Sequence, residues 1–283
     1  MKPESSPDNT YILGHSHAEM VRLTEQDHHI TEGMGGLFPE QPDLSGIHRI
    51  LDVACGPGGW PLEVAYAYPD IQVVGIDVDE GMISYATELA RAARLDNVSF
   101  RVMNAIEPLD FPDAIFDLVN ARFMVGFLPT TLWPAVLGEF MRIIRPGGII
   151  RLTEQEWTGC SSTAYETTQR LTFRASLRAR VNFNQDARHI GITPRLRRFL
   201  HQAGCVNIEE KATALDFSSG SPAHVNVAQD LVVAQQLLVP FKVMMGVATQ
   251  EELDQLNHQI QRDMPADDFY GIMYFLTLWG QRP

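Results

Sequence analysis

Short apolar runs alternate with amphipathic stretches through the first half of the chain. Arg49 to Val53, Ile71 to Ile76, Val98 to Val102, Phe116 to Ala121 and Ile149 to Glu154 are apolar runs bounded by turn formers, and they read as buried strands. Between them Pro61 to Tyr68, Met82 to Leu95 and Trp133 to Ile144 read as helices, broken by Pro69-Asp70 and by Arg145-Pro146-Gly147-Gly148. Strand and helix alternating at this spacing imply right-handed crossovers and a parallel sheet. Ahead of the sheet, His15 to Ile30 has a helical period, with Glu19, Arg22, Leu23 and Gln26 on one face and Gly33-Met34-Gly35-Gly36 to end it. Residues 1–9 are polar, Pro-punctuated and expected to fray. Beyond Trp157 the rhythm changes. Tyr165 to Arg180, Pro194 to Ala203 (with Gly204 as cap), Pro222 to Gly246 and Gln250 to Met264 read as helices; Val206 to Phe217 and Ile272 to Trp279 read as strands. The pattern predicts a helical cap over 1–46, an α/β core over 47–156, and lid helices with sheet-completing strands over 157–283, all one structural domain.

Charge narrows the partners. Lys and Arg number 22 against 35 Asp and Glu, a formal charge of −13. That balance argues against a nucleic-acid or anionic-membrane partner, since both need a cationic footprint. No apolar stretch approaches the roughly 18 residues of a membrane span, and Met1 to Thr10 lacks the apolar core of a secretory signal. Cys55, Cys160 and Cys205 are too few and scattered for a disulfide framework or a zinc site, so a reducing, cytoplasmic setting is expected. His15, His17, His28 and His29 stand at spacings of one and two, which do not share a helix face, so no metal is expected there. Eight arginines fall between Arg170 and Arg198 against one acid, Asp186. They read as a solvated helix face or a contact between copies of an acidic chain; the alternative is that some meet an anionic substrate.

The chemistry lies in Asp52-Val53-Ala54-Cys55-Gly56-Pro57-Gly58-Gly59. A strand runs into glycines and a helix follows, a turn that admits a ligand against backbone N–H groups at a helix N-terminus. The pattern departs from a dinucleotide turn, which wants glycine where Pro61 stands and asks for no acid at Asp52. Asp52 can anchor the loop and meet a ligand amine, which points to an amino acid. Asp77 ends the second strand, where an acid can hold both hydroxyls of a ribose. Asn104 and Ala105 follow the third strand, where a side-chain amide and a backbone N–H can read an adenine edge. Amino acid, ribose and adenine together describe S-adenosylmethionine.

Asp52 to Gly58, Gly75-Ile76-Asp77-Val78, Phe116-Asp117-Leu118-Val119-Asn120 and Arg142-Ile143-Ile144-Arg145-Pro146-Gly147-Gly148 resemble, in order, motifs of class I S-adenosylmethionine-dependent methyltransferases. The set is most similar to the ubiquinone/menaquinone-biosynthesis type, and Tyr11, Leu13-Gly14, Glu19, Arg22-Leu23 and Gln26 resemble the head of some of those enzymes. The resemblance covers roughly residues 11–156 and the sheet-completing end. It implies an α/β, Rossmann-like, seven-stranded, mostly parallel sheet with helical cap and lid insertions. The implied strand order is 3-2-1-4-5-7-6, with Val206 to Phe217 sixth and an antiparallel Gly271 to Gly280 seventh. It further implies that Gly56 and Gly58 cradle the methionyl part, Asp77 holds the ribose, Val78 and Met82 flank the adenine, and Asn120 offers its backbone near the sulfonium. Arg22 or Gln26 would close over the cofactor carboxylate, and Arg122 would face the substrate. Two departures are Asn104, where the family often has Asp, and Arg122-Phe123-Met124, where pairs such as His-His often follow the fourth strand. His189 is the first candidate for a general base. The activity implied is methyl transfer to O, N or C of a small-molecule acceptor. Its rivals are an NAD(P)-binding oxidoreductase and a non-catalytic S-adenosylmethionine-binding module; a nucleic-acid methyltransferase is further off, for want of an Asn/Asp-Pro-Pro-Tyr element.

Overall fold

Seven strands form one sheet in the order β3-β2-β1-β4-β5-β7-β6 in a computed structural model that describes residues 17–41 and 43–283. The strands are β1 (Arg49–Val53), β2 (Gln72–Asp77), β3 (Val98–Val102), β4 (Phe116–Arg122), β5 (Ile144–Cys160), β6 (Val206–Asp216) and β7 (Gly271–Gln281). The pairs β1–β2, β1–β4, β2–β3 and β4–β5 are parallel, while β7 runs antiparallel to both β5 and β6. This is the order the resemblance implies. The polar lead, Tyr11, Leu13-Gly14 and His15 fall outside the described residues.

Helices cover both faces because the central strands are apolar on both sides. On one face, α4 (Trp133–Ile143) and α6 (Thr193–Ala203) bury Leu137, Phe140, Leu196 and Leu200 against Val119 and Leu152. On the other, α2 (Gly59–Ala67) seats Trp60 and Val64 against Ile50, Val73 and Leu118, with α3 (Glu80–Ala92) beside β3. A third cluster joins α1 (His17–Gly33), α5 (Thr163–Arg178), α7 (His224–Leu237) and α9 (Gln250–Asp263) to Met273 and Phe275 of β7. Each fully buried side chain of this size contributes about 1.5–3 kcal/mol.

Two elements differ from the sequence pattern. β5 starts at Ile144, taking in the expected Arg145-Pro146-Gly147-Gly148 turn, and continues past Glu154 to Cys160, because β7 pairs with it out to Gly271 across one register shift between Gln155 and Trp157. The stretch Pro222 to Gly246 is two helices, with α8 (Val239–Met244) starting after Leu238. Pro240 sits in the first turn of α8, where its missing N–H is harmless; inside a continuous helix it would break the hydrogen-bond ladder. No described helix is long and apolar enough to cross a membrane.

Candidate cofactor site

β1 ends at Val53, and the chain then turns sharply through three residues at positive φ: Ala54 (57°), Gly56 (54°) and Gly58 (84°). Gly58 is required twice over. Its backbone is left-handed, and an added Cβ would stand 2.8 Å from Ala86 and 2.9 Å from the Phe100 ring. Gly56 is the opposite case, with nothing within 4 Å of where a Cβ would point, so its outer side is open. The turn is held from β2: Cys55 N donates to Ile76 O at 2.9 Å, and Gly56 N donates to Asp77 Oδ2 at 2.9 Å. Asp77 Oδ1 accepts from Asp79 N at 3.0 Å, so this carboxylate is fixed by two backbone donors before any ligand arrives. Burial pushes its pKa up, against those N–H groups.

Asp52 lies in the middle of the sheet, level with Gly75 on one side and Asn120 on the other. Its Oδ1 accepts from Asn120 Nδ2 at 2.7 Å. Asn120 Oδ1 in turn accepts from Arg151 Nη1 at 2.8 Å, and the Arg151 guanidinium pairs with the buried Glu40. Burial pushes Asp52 up to about 7, although Arg122 and Asn120 pull the other way. The sequence predicts a backbone role for Asn120; the structure puts its side chain to work, orienting Asp52.

The cap helix meets the turn through a residue the sequence reading did not single out. Asp27 of α1 accepts from Arg122 Nη2 at 2.7 Å and from Trp60 N, the first turn of α2, at 3.2 Å. The approach is so close that a Cβ on Gly59 would stand 2.8 Å from Asp27. Arg122 also donates to Thr31 at 3.1 Å and lies 5.8 Å over the Trp60 ring. Three carboxylates, Asp27, Asp52 and Asp77, therefore surround the turn, and Arg122 is the guanidinium paired among them.

The structure moves several predicted residues. Arg22 pairs with Glu19 and Asp230, and Gln26 donates to Asp230 Oδ2 at 2.6 Å, so both tie α1 to α7. The next residue along the helix, Asp27, is the one that reaches the turn. Arg122 folds back onto α1 and Trp60. Met82 is buried and its N–H donates the α3 cap bond to Asp79 Oδ1, leaving Val78 as the exposed apolar residue at the end of β2. Val78, Val102 and Ile106 are 46%, 50% and 39% exposed, an uncovered apolar rim where β2 and β3 end. Asn104 accepts from Ile106 N and contacts Glu107, which leaves it half-buried at that rim, with Ala105 packed beside the core. His189 stands apart, between Glu156 Oε1, 2.5 Å from Nδ1, and the Asn184 amide at Nε2. Both ring nitrogens are engaged. Although burial opposes it, hydrogen bonds from Thr193, Gly191 and His189 hold Glu156 below its ordinary pKa, so this group caps α6. Glu154, fully buried, accepts from Val125 N at 3.4 Å with Oε1 unpartnered, and burial raises its pKa.

A family model described as a methyltransferase domain matches residues 50–148, the segment from β1 to the start of β5. Methyltransferase str2 of Strobilurus tenacellus is 28% identical over 158 residues, 56% of this chain and 53% of that protein. The 27-O-demethylrifamycin SV methyltransferase of Amycolatopsis mediterranei is 33% identical over 135 residues, 47% of each. The chain thus spans about half the length of the curated relatives it matches. Haemonchus contortus phosphoethanolamine N-methyltransferase 2, solved with phosphomonomethylethanolamine and S-adenosylhomocysteine, superposes with a TM-score of 0.59 at 17% identity, covering 98% of this chain and 61% of that one. At that identity the likeness is one of fold.

Proposed function

Residues 50–148 are a methyltransferase domain with the class I fold, and on that premise we propose that the chain transfers the methyl group of S-adenosylmethionine to O, N or C of a small organic acceptor. The observation that carries this reading is the charge at the glycine turn. Four carboxylates, Asp27, Asp52, Asp77 and Glu40, face two guanidiniums there, Arg122 and Arg151, a surplus of negative charge that suits a ligand end whose ammonium and sulfonium outweigh its one carboxylate. A pyrophosphate would meet the wrong sign. Asp77 is fixed by Gly56 N and Asp79 N with oxygen lone pairs left for ribose hydroxyls. The uncovered rim of Val78, Val102 and Ile106 offers apolar surface for an adenine. Gly56, open on its outer side, is where the methionyl part can approach the backbone.

When bound, the cofactor supplies an already activated electrophilic methyl. The chain's own task is to hold the acceptor lone pair in line and exclude water, and such positioning contributes up to about 7–11 kcal/mol. Asp52, held by Asn120, receives the ammonium; α1, α5 and α7 share one apolar cluster with Phe123 and Cys160, at the ends of β4 and β5, and in this reading cover the acceptor. His189 serves as a latch in this reading, with Glu156 on one ring nitrogen and Asn184 on the other. A cytoplasmic site of action belongs to the same proposal, in keeping with the free thiols of Cys55, Cys160 and Cys205.

Calorimetric titration of the purified chain with S-adenosylmethionine and, separately, NADH tests the reading, followed by an acceptor panel read as S-adenosylhomocysteine release. The expected result is binding of S-adenosylmethionine alone and release with at least one acceptor. Binding of NADH alone would overturn it. Cofactor binding with no release across the panel would favour a binding module.

A further inference from the structure

The cap helix carries a second group of donors, on the side of α1 that meets α2. Adjacent histidines on a helix point about 100° apart, so His28 and His29 alone do not converge. Glu32 changes that. Four residues after His28 and three after His29, it lies about 40° round the helix from His28, between the two imidazoles and one turn further on. One ligand atom from each of the three lies within 4.8 Å of the other two. The histidine rings are tilted by 58° with centroids 5.6 Å apart, so they do not stack. Glu63 of α2 lies outside this converging set but touches it at one member, with Oε1 2.7 Å from His28 Nδ1.

We propose that His28, His29, Glu32 and Glu63 form a binding site for a divalent transition-metal ion, zinc by donor chemistry, that fastens α1 to α2. Two imidazole nitrogens with two carboxylate oxygens favour zinc, nickel or copper over calcium or magnesium, which take all-oxygen sets. At bond lengths of 2.0–2.1 Å, tetrahedral zinc sets its donors roughly 3.4 Å apart. His28 and Glu32 are exposed and His29 half-buried, so their side chains are free to rotate toward that spacing, and in the proposal Glu63 turns in from α2 to complete the set. The position gives the ion a consequence. Asp27, immediately before His28, reaches Trp60 N and Arg122 at the glycine turn. An ion bridging the next residue to Glu63 therefore holds α1, and with it Asp27, against the cofactor side of α2.

The test uses the untagged full chain, stripped with a chelator and titrated with zinc chloride by calorimetry. The expected result is one saturable equivalent, with the melting midpoint raised by several degrees when zinc is present in excess. His29→Gln and Glu32→Gln should each weaken zinc binding at least about tenfold, the scale of disturbing one group in a metal site. The control His258→Gln, on the exposed face of α9, should leave it unchanged. Absence of a saturable site, or a site that survives the double variant H29Q/E32Q with its circular dichroism intact, overturns the proposal. S-adenosylmethionine titrated into the same stripped samples reads the glycine turn independently, so failure of the metal site and failure of the methyl-transfer reading are told apart.

Discussion

The glycine-turn end of the sheet and the helical lid solve burial of polar groups in opposite ways. At the turn, Asp27, Asp52 and Asp77 outnumber the guanidiniums near them, Arg122 and the Glu40-paired Arg151, and each is aimed by a named donor: Arg122 and Trp60 N, Asn120, and Gly56 N with Asp79 N. In the lid, Lys242 of α8 is fully buried, and among the described residues it forms no ion pair; its Nζ donates to Gln235 at 2.7 Å. Around it runs an uncharged chain. Tyr165 lies among the polar side chains of Thr158, Gln235 and Gln169, and Gln155 donates to Thr158 at 2.6 Å. Unpaired buried charge is costly and shifts protonation to escape the cost. So the raised carboxylates at the turn would ionise more readily beside a cation, whereas burial in the lid draws the lysine down to about 7, leaving it about half protonated at neutral pH. One end leaves charge for a ligand to meet in the proposed reading; the other is held together by neutral hydrogen bonds.

The largest effect should come from the turn's backbone. Gly58→Ala forces a Cβ into a left-handed residue 2.8 Å from Ala86, and urea denaturation should show a loss of about 2–4 kcal/mol, combining backbone strain with overpacking. Gly56→Ala, open on its outer side, should cost about 1 kcal/mol at most in the same measurement. Equal losses would mean that the turn is not pinned against α3 and β3 as described.

Next comes Asp77, the carboxylate proposed to hold the ribose. Asp77→Ala should weaken S-adenosylmethionine by about 1–3 kcal/mol, the scale for hydrogen bonds to a charged group, read by calorimetry on folded protein. Unchanged affinity would remove Asp77 from the cofactor's contacts.

The lid should reveal itself through pH. Between about pH 7 and the ordinary value of 10.5, the unfolded chain holds a proton on Lys242 that the folded chain lacks, so stability should rise with pH across that window. Lys242→Met should flatten this rise, measured as denaturation midpoints from pH 7 to 10. An unchanged slope would show that Lys242 is not the titrating group.

The turn should respond over a lower range. The folded Asp52 ionises only near 7, and a cationic ligand favours the ionised form. Cofactor affinity should therefore strengthen by several-fold from pH 6 to 7.5 and then level, and Asp52→Asn should abolish that dependence. The smallest effect should be that of His189→Ala, a half-exposed latch on Glu156, at about 1 kcal/mol or less of stability.

How much of this was legible in the sequence follows the same divide. The turn could be read because its glycines and Asp77 answer to backbone geometry, which is local. The strand order followed from motifs spaced along the parallel half. The contact of Asp27 with Trp60 N joins residues 33 positions apart, and no local period signals it. Arg22 and Gln26 carried the same helical period as Leu23, yet the acid that claims them, Asp230, sits in a helix with no motif. The break before α8 was written in Pro240, but the apolar residues on either side masked it. The length of β5 was set by its partner β7, not by its own composition.

A crystal structure of the chain with S-adenosylmethionine bears most directly on the glycine turn as an acidic receptor for the cofactor. The account predicts both ribose hydroxyls within hydrogen-bond distance of the Asp77 carboxylate, the methionyl chain along Gly56, and the ammonium facing Asp52. A ligand lodged elsewhere, with Asp77 still bonded only to Gly56 N and Asp79 N, would contradict it.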